Sequence, residues 1–198
     1  MINKLGDMNV YLLLAHPDKQ SFNGQLANEY EKALILAGNM VRRQNLGDMI
    51  FDPILWKGYA SHQELEPDLK TAQDNIIWCN HWVIIYPVWW GSVPALFKGF
   101  LDRTLHPGFA FNYNKHNSFW DKLLKGRSAH LITTSDAPWW WLWWSYRNSD
   151  FNTIKRATLQ YCGIKPVALT RIDRLRFLDE SKRKQKILAL LKKIKNDR

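Results

Sequence analysis

The sequence predicts an α/β domain: five parallel strands in the order 2-1-3-4-5, doubly wound, with helices on both faces. Three observations predict it. Short continuous apolar runs, the form of strands covered on both sides, alternate with segments of helical period. Turn formers punctuate the alternation, and strand–helix alternation is the pattern of βαβ units and a parallel sheet. The chain of 198 residues is a length suited to one such unit and contains no repeat, linker or shift in composition.

The first strand is "VYLLLA" (10–15). Ser21 is placed to cap the helix that follows, where Leu26, Tyr30, Ala33, Leu34 and Ala37 keep helical spacing up to Gly38. "MVRRQNL" (40–46) is a second, more exposed strand, and residues 47–67 form an irregular connection. A helix over 68–79 leads to the buried strand "HWVIIYPV" (81–88), and another helix starts near Pro94, a favourable first-turn residue. "SAHLITTS" (128–135) is the fourth strand, 151–163 a helix ending at Gly163, and "KPVALTRI" (165–172) the fifth strand. The tail closes as a basic helix with Ile187, Leu190, Leu191 and Ile194 on one stripe. This strand count and length suit the flavodoxin-like arrangement, in which ligands bind beyond the strand C-terminal ends where the first and third strands diverge.

Composition narrows the function classes. The net charge of +10 favours anionic ligands or surfaces, but much of the excess lies in the tail "KRKQKILALLKKIKNDR". The aromatic residues concentrate at strand ends, apart from that charge, which argues against nucleic acid as a partner. Cys79 and Cys162 sit in apolar segments without metal spacing, and the reading is two buried reduced thiols in a cytoplasmic protein with no metal. No apolar run approaches the ~20 residues of a membrane span.

Three loops should converge at the strand ends: "AHPDKQSFNGQ", "YPVWWGSVPA" and "TTSDAPWWW". The first enters a helix N-terminus, whose free amides and positive dipole end suit a phosphate. Ser21 serves either as a simple cap or as a phosphate donor. His16 is either a hydrogen-bonded structural residue or part of the site. The second loop offers Trp89 and Trp90 to a planar ring, with Gly91 permitting close backbone approach. Neither a G-x-G-x-x-G fingerprint nor a Walker A loop is present.

The stretches "AHPDKQSFN", "YPVWWGSVPALFKGFLDRTLHPGFAF" and "LLKGRSAHLITTSDAP" resemble the flavodoxin-like NAD(P)H:quinone oxidoreductases, over about residues 10–172. The resemblance implies a homodimer binding a flavin near the subunit interface, FMN rather than FAD, with NAD(P)H as co-substrate and a small quinone-like electron acceptor. It assigns His16, Ser21, Phe22 and Asn23 to the flavin phosphate. Pro87, Val88, Trp89, Trp90 and Gly91 fall beside the isoalloxazine ring, and Thr133, Thr134, Ser135 and Asp136 at its polar edge. Phe111 and Tyr113, in "GFAFNY", match aromatic positions near the nicotinamide or quinone. Two departures stand out: Ser135-Asp136 replaces the family's diglycine, and the proton-donating Tyr and His have no counterpart beyond Tyr146 as a candidate.

The run "WWWLWW" (139–144) is expected to form pocket wall and dimer surface. The alternative function is a flavin-bound regulatory subunit of a potassium-efflux system, with the basic tail docking a transporter or membrane surface.

Overall fold

The computed structural model describes residues 8–114 and 118–196. Its sheet contains β1 (Asn9–Leu14), β2 (Met40–Asn45), β3 (His81–Pro87), β6 (Ser128–Thr134) and β7 (Val167–Ile172). All neighbours are parallel and the order is β2-β1-β3-β6-β7, the expected one once the two extra short strands are set aside. Those two, β4 (Phe111–Tyr113) and β5 (Trp120–Lys122), form a separate antiparallel hairpin that the strand pattern did not announce.

Each face of the sheet carries its own core. On one side α1 (Phe22–Leu36) and the tail helix α7 (Glu180–Asn196) bring Leu26, Tyr30, Leu34, Ile187 and Leu190 against Leu12, Leu14 and Val83. On the other, α2 (Pro67–Trp78) and α3 (Ala95–Thr104) bury Leu69, Ile76, Phe97 and Phe100 against Tyr11, Leu13, Ile84 and Tyr86. The alternation of faces follows from the period of two along each strand. The tail's apolar stripe is thus spent on the sheet, Ile187 and Leu190 being buried, while the side chain of Ile194 lies outside the described residues. Polar β2 lies at an edge, where Arg43 reaches Glu31 at 2.8 Å and Arg42 stacks over the Trp78 ring. Charged edges of this kind discourage pairing with another chain.

The helix expected over 151–163 starts earlier and is irregular. It runs as α5 (Ser149–Ile154), a π-helical segment (Lys155–Leu159) and α6 (Gln160–Cys162). Gly163, at φ +102°, ends it as expected. Both cysteines are free and buried, and burial pushes their thiols up to about 11 for Cys79 and about 12 for Cys162.

At the N-terminal end of β3, buried His81 holds Nδ1 at 2.8 Å from Ser128 Oγ, and burial lowers its imidazole to about 4. A depressed folded-state pKa means that folding favours the neutral ring. That stabilisation is complete above the unfolded value near 6.5 and drains away as pH falls towards about 4. The full shift corresponds to roughly 3 kcal/mol. Urea denaturation between pH 7 and pH 4 is expected to show this loss in the wild type and a clearly smaller loss in His81→Gln.

Candidate functional site

The loops after β1, β3 and β6 meet at the C-terminal edge of the sheet and enclose a cleft of about 190 Å³. From the first loop come His16, Ser21, Phe22 and Asn23; from the second Pro87, Val88 and Trp89; from the third Thr134, Ser135 and Asp136. Ten of the thirteen residues expected at the cofactor therefore line one cavity. The eleventh lining residue, Leu175, belongs to the loop after β7, which sequence reasoning left out although it ends at the same edge.

Ser21 is the N-cap of α1, its Oγ accepting from Gly24 N and donating to Asp18 O at 2.7 Å. Asp18 folds the loop further by accepting from Gln20 N at 2.7 Å. Two glycines make this compact loop possible. A Cβ on Gly24 would stand 1.9 Å from Lys19 O, and one on Gly47 would stand 1.8 Å from Pro17 O. Lys19 adds an ion pair to Asp48 at 3.0 Å. The 310 turn at Leu46–Asp48 thus braces the loop from behind, a contact between distant segments that no local pattern signals.

Asn23 sits in the first turn of α1 and is almost fully buried. Its Oδ1 accepts from Thr134 Oγ1 at 2.8 Å, while Nδ2 has no hydrogen-bond partner. An unpaired buried amide donor costs about 1–3 kcal/mol and so marks a place where an acceptor belongs. With the first-turn amides of α1 that Ser21 does not cap and the dipole's positive end, the donor set suits a phosphate.

His16 takes a definite tautomer. Its Nδ1 accepts from Asp18 N at 2.9 Å, leaving Nε2 to carry the proton, and its ring meets Trp89 edge-on at 5.7 Å. Burial lowers the imidazole's pKa, although the contact with Asp18 opposes the shift. Neutral His16 is therefore a donor through Nε2.

Three of the expected cofactor residues do not line the cleft. Trp90 and Gly91 occupy the tip of a tight turn in which Trp89 and Ser92 exchange both backbone hydrogen bonds. Both tip residues have positive φ, +52° and +67°, the pattern of a type I′ turn. A bulky residue held there is strained, and the turn throws the Trp90 ring fully into solvent. Gly91 is buried under Tyr146, whose ring would lie 3.0 Å from an added Cβ. Thr133 is buried and pairs in register with Arg171, and its Oγ1 has no partner. Because neighbouring strand residues point to opposite faces, Thr134 at Asn23 puts Thr133 on the far side.

Beneath that far side lies a polar group absent from the sequence reading. Asp150, fully buried, pairs with Arg171 at 3.1 Å, and Tyr86 Oη donates to Asp150 O. Burial pushes the Asp150 carboxyl up, and the guanidinium works against that. Ser149 Oγ donates to Gly91 O, so this group anchors the turn carrying Trp90. The separation in sequence kept it out of reach of pattern reading.

Phe111 and Tyr113 lie apart from the cleft, on the hairpin. Phe111 packs edge-on against Tyr59, Tyr113 and Tyr161, and Tyr113 is exposed. Tyr146 packs over Gly91, outside the cleft, and meets Trp141 edge-on. The tryptophan run folds as α4 (Trp139–Trp144), with only Leu142 buried. Asp173 Oδ2 accepts from Trp139 N at 3.0 Å and so satisfies the start of the helix. None of its five indoles lines the cleft. Among the described residues no group of His, Cys, Asp and Glu could hold a metal ion, and no helix is long and apolar enough to cross a membrane.

A family model described as flavodoxin-like fold matches residues 8–197. The chain belongs to that family. A relative from Haemophilus influenzae, named an uncharacterized NAD(P)H oxidoreductase, is 30% identical, with 91% of each chain covered. The ribosyldihydronicotinamide dehydrogenase [quinone] of Pongo abelii is 29% identical over 80% of this chain and 78% of its own. Among solved structures, Smu.1420 from Streptococcus mutans superposes with a TM-score of 0.80 at 26% identity, covering 96% of this chain and all of that one. An FMN-dependent NADH-azoreductase of Bacillus anthracis in complex with FMN superposes with a TM-score of 0.69 at 19% identity, covering 93% and 96%, and shares the fold. The membership accounts for the sheet order and for the meeting of the three loops at one edge.

Proposed function

We propose that this member of the flavodoxin-like family is an NAD(P)H oxidoreductase that uses a bound flavin, FMN in preference to FAD, to reduce a quinone or similar flat acceptor. The carrying observation is the convergence of the phosphate-type donor set on one cleft: the first amides of α1, Asn23 Nδ2 without a partner, and His16 as a neutral donor. The relatives' names favour catalysis over regulation of a transporter.

A bound flavin supplies the transfer of reducing equivalents itself; the protein supplies position and electrostatics. At about 190 Å³ the cleft is smaller than the ~300–1,000 Å³ of a complete ligand pocket. In this reading it takes the phosphate and its chain, with the ring lying over the Pro87–Trp89 loop. Ser135 and Asp136 line the cleft in place of the family's diglycine and supply polar side chains at the ring's edge. Phe111 and Tyr113 are assigned to the acceptor site through a second copy of the chain, since in one copy they stand apart from the cleft.

The test is a spectrum of the purified protein with added FMN. Expected are a bound flavin absorbance, bleaching by NAD(P)H and recovery on adding a quinone, with flavin content lowered at least tenfold in Asn23→Leu. A protein that binds neither FMN nor FAD and oxidises no NAD(P)H would overturn the reading.

A further inference from the structure

Of the four non-glycine residues with positive φ among the described residues, three meet around one contact: Trp90 at +52°, Arg147 at +50° and Asn148 at +51°. Backbone held in this region under a bulky side chain is strained. Such strain persists only where the surroundings over-determine it, as they do at ligand clamps. Two elements distant in sequence make the contact: the turn at 89–92 after β3, and the elbow at 146–150 that opens α5. The elbow grips the turn at Gly91, where the Tyr146 ring covers the α-carbon and Ser149 Oγ donates to the carbonyl.

The elbow is itself fixed from beneath. Asn148 N donates to Leu142 O at 2.8 Å, and Arg171 Nη2 reaches Asn148 Oδ1 at 3.4 Å and the Asp150 carboxylate at 3.1 Å. Tyr86, near the end of β3, donates its hydroxyl to Asp150 O, so strand, turn and elbow close a ring of contacts. Stability alone does not account for this group. A buried ion pair repays its own desolvation poorly. Among the described residues, moreover, Arg171 Nη1 and the Oγ1 of its strand neighbour Thr133 have no hydrogen-bond partner. What the pair provides is a fixed place for Ser149, one position before Asp150. At the other end of the turn, Trp89 lines the cleft and meets His16 edge-on. Direct contacts and adjacent backbone thus lead from Arg171 through Asp150, Ser149 and Gly91 to the cleft wall.

We propose that Ser149, held in place by the buried Asp150–Arg171 pair, is a positioning residue that sets the turn at 89–92 against the flavin ring. This role rests on the flavin binding proposed above. It divides the site into two ends that act separately: Asn23 and the first amides of α1 on the phosphate, the elbow on the ring.

The experiment compares Ser149→Ala, Ser149→Thr and Asn23→Leu with the wild type. FMN affinity is measured by titration, and circular dichroism is recorded in the visible flavin bands at saturating FMN. Ser149→Ala is expected to weaken FMN by about fivefold, the worth of one hydrogen bond, and to change the visible dichroism because the ring's surroundings have moved. Ser149→Thr keeps the hydroxyl and should restore both. Asn23→Leu should weaken FMN while the dichroism of the bound fraction stays that of the wild type. A further readout needs no cofactor: the Ser92 amide, which donates to Trp89 O at 2.9 Å, should exchange its hydrogen faster in Ser149→Ala. If Ser149→Ala keeps the wild-type dichroism, or the wild-type exchange at Ser92, the positioning role is overturned and the flavin reading stands. If the wild type binds neither FMN nor FAD, the flavin reading is overturned and the positioning role with it, whatever the exchange at Ser92.

Discussion

Replacing Gly24 with Ala is expected to cost the protein its proposed flavin site. The added methyl would stand 1.9 Å from Lys19 O, a backbone atom that cannot rotate aside, so the Pro17–Gln20 loop must leave α1. That movement displaces the Ser21 cap and the first-turn amides together. Overpacking of this kind costs about 1–3 kcal/mol of stability, and the proposed phosphate contacts depend on the same backbone. FMN affinity measured by fluorescence titration should fall at least tenfold. Gly47→Ala should reproduce the effect from the opposite side, since its methyl would meet Pro17 O at 1.8 Å. Unchanged FMN affinity in both variants would show that the loop is not a cofactor cradle.

Arg103→Met is expected to produce the largest loss of stability. Arg103 is almost completely buried on α3 and donates to Asp52 O, Glu64 O and the Glu66 carboxylate at 2.9 Å. Burial pushes the Glu66 carboxyl up, but hydrogen bonds from backbone amides and Arg103 outweigh it and hold the group below its usual value. Methionine fills much of the volume but removes the donor to two carbonyls and leaves the Glu66 carboxylate only its backbone amides. Breaking a buried pair from one side costs about 3–5 kcal/mol, a large share of the ~5–15 kcal/mol that holds a domain together. Thermal or urea unfolding checks it, and Glu66→Gln, which keeps hydrogen bonding, should lose less. A loss under about 1 kcal/mol in Arg103→Met would mean that water readily replaces the guanidinium.

The sheet was legible because its strands are continuous apolar runs, and the order followed from their number and alternation. The first and third loops were legible because they flank such runs. Trp90 was not, since a residue's placement at positive φ depends on the turn geometry between Trp89 and Ser92 rather than on composition. Thr133 shows a different limit: its type fits a site, but the pleat phase, settled by Thr134 reaching Asn23, turns it away. Asp150 with Arg171, and Leu175 at the cleft, depend on pairings across the fold. The hairpin strands, three residues each, are too short for a period-two signal. Trp139–Trp144 contains only one buried residue, so no apolar face announced a helix.

The hydrogen bond from Thr134 to Asn23 joins residues 111 positions apart, across β3, which pairs with both β1 and β6. Long loops are closed late because their entropy must be lost before the contacts form. During synthesis the residues of the first helix therefore emerge well before their partners from Thr134 to Leu175. The cleft is a late product of assembly. The proposed capture of flavin would then act as a final check on the whole sheet, and a ribosome-bound chain stopped before Leu175 is expected to hold no flavin.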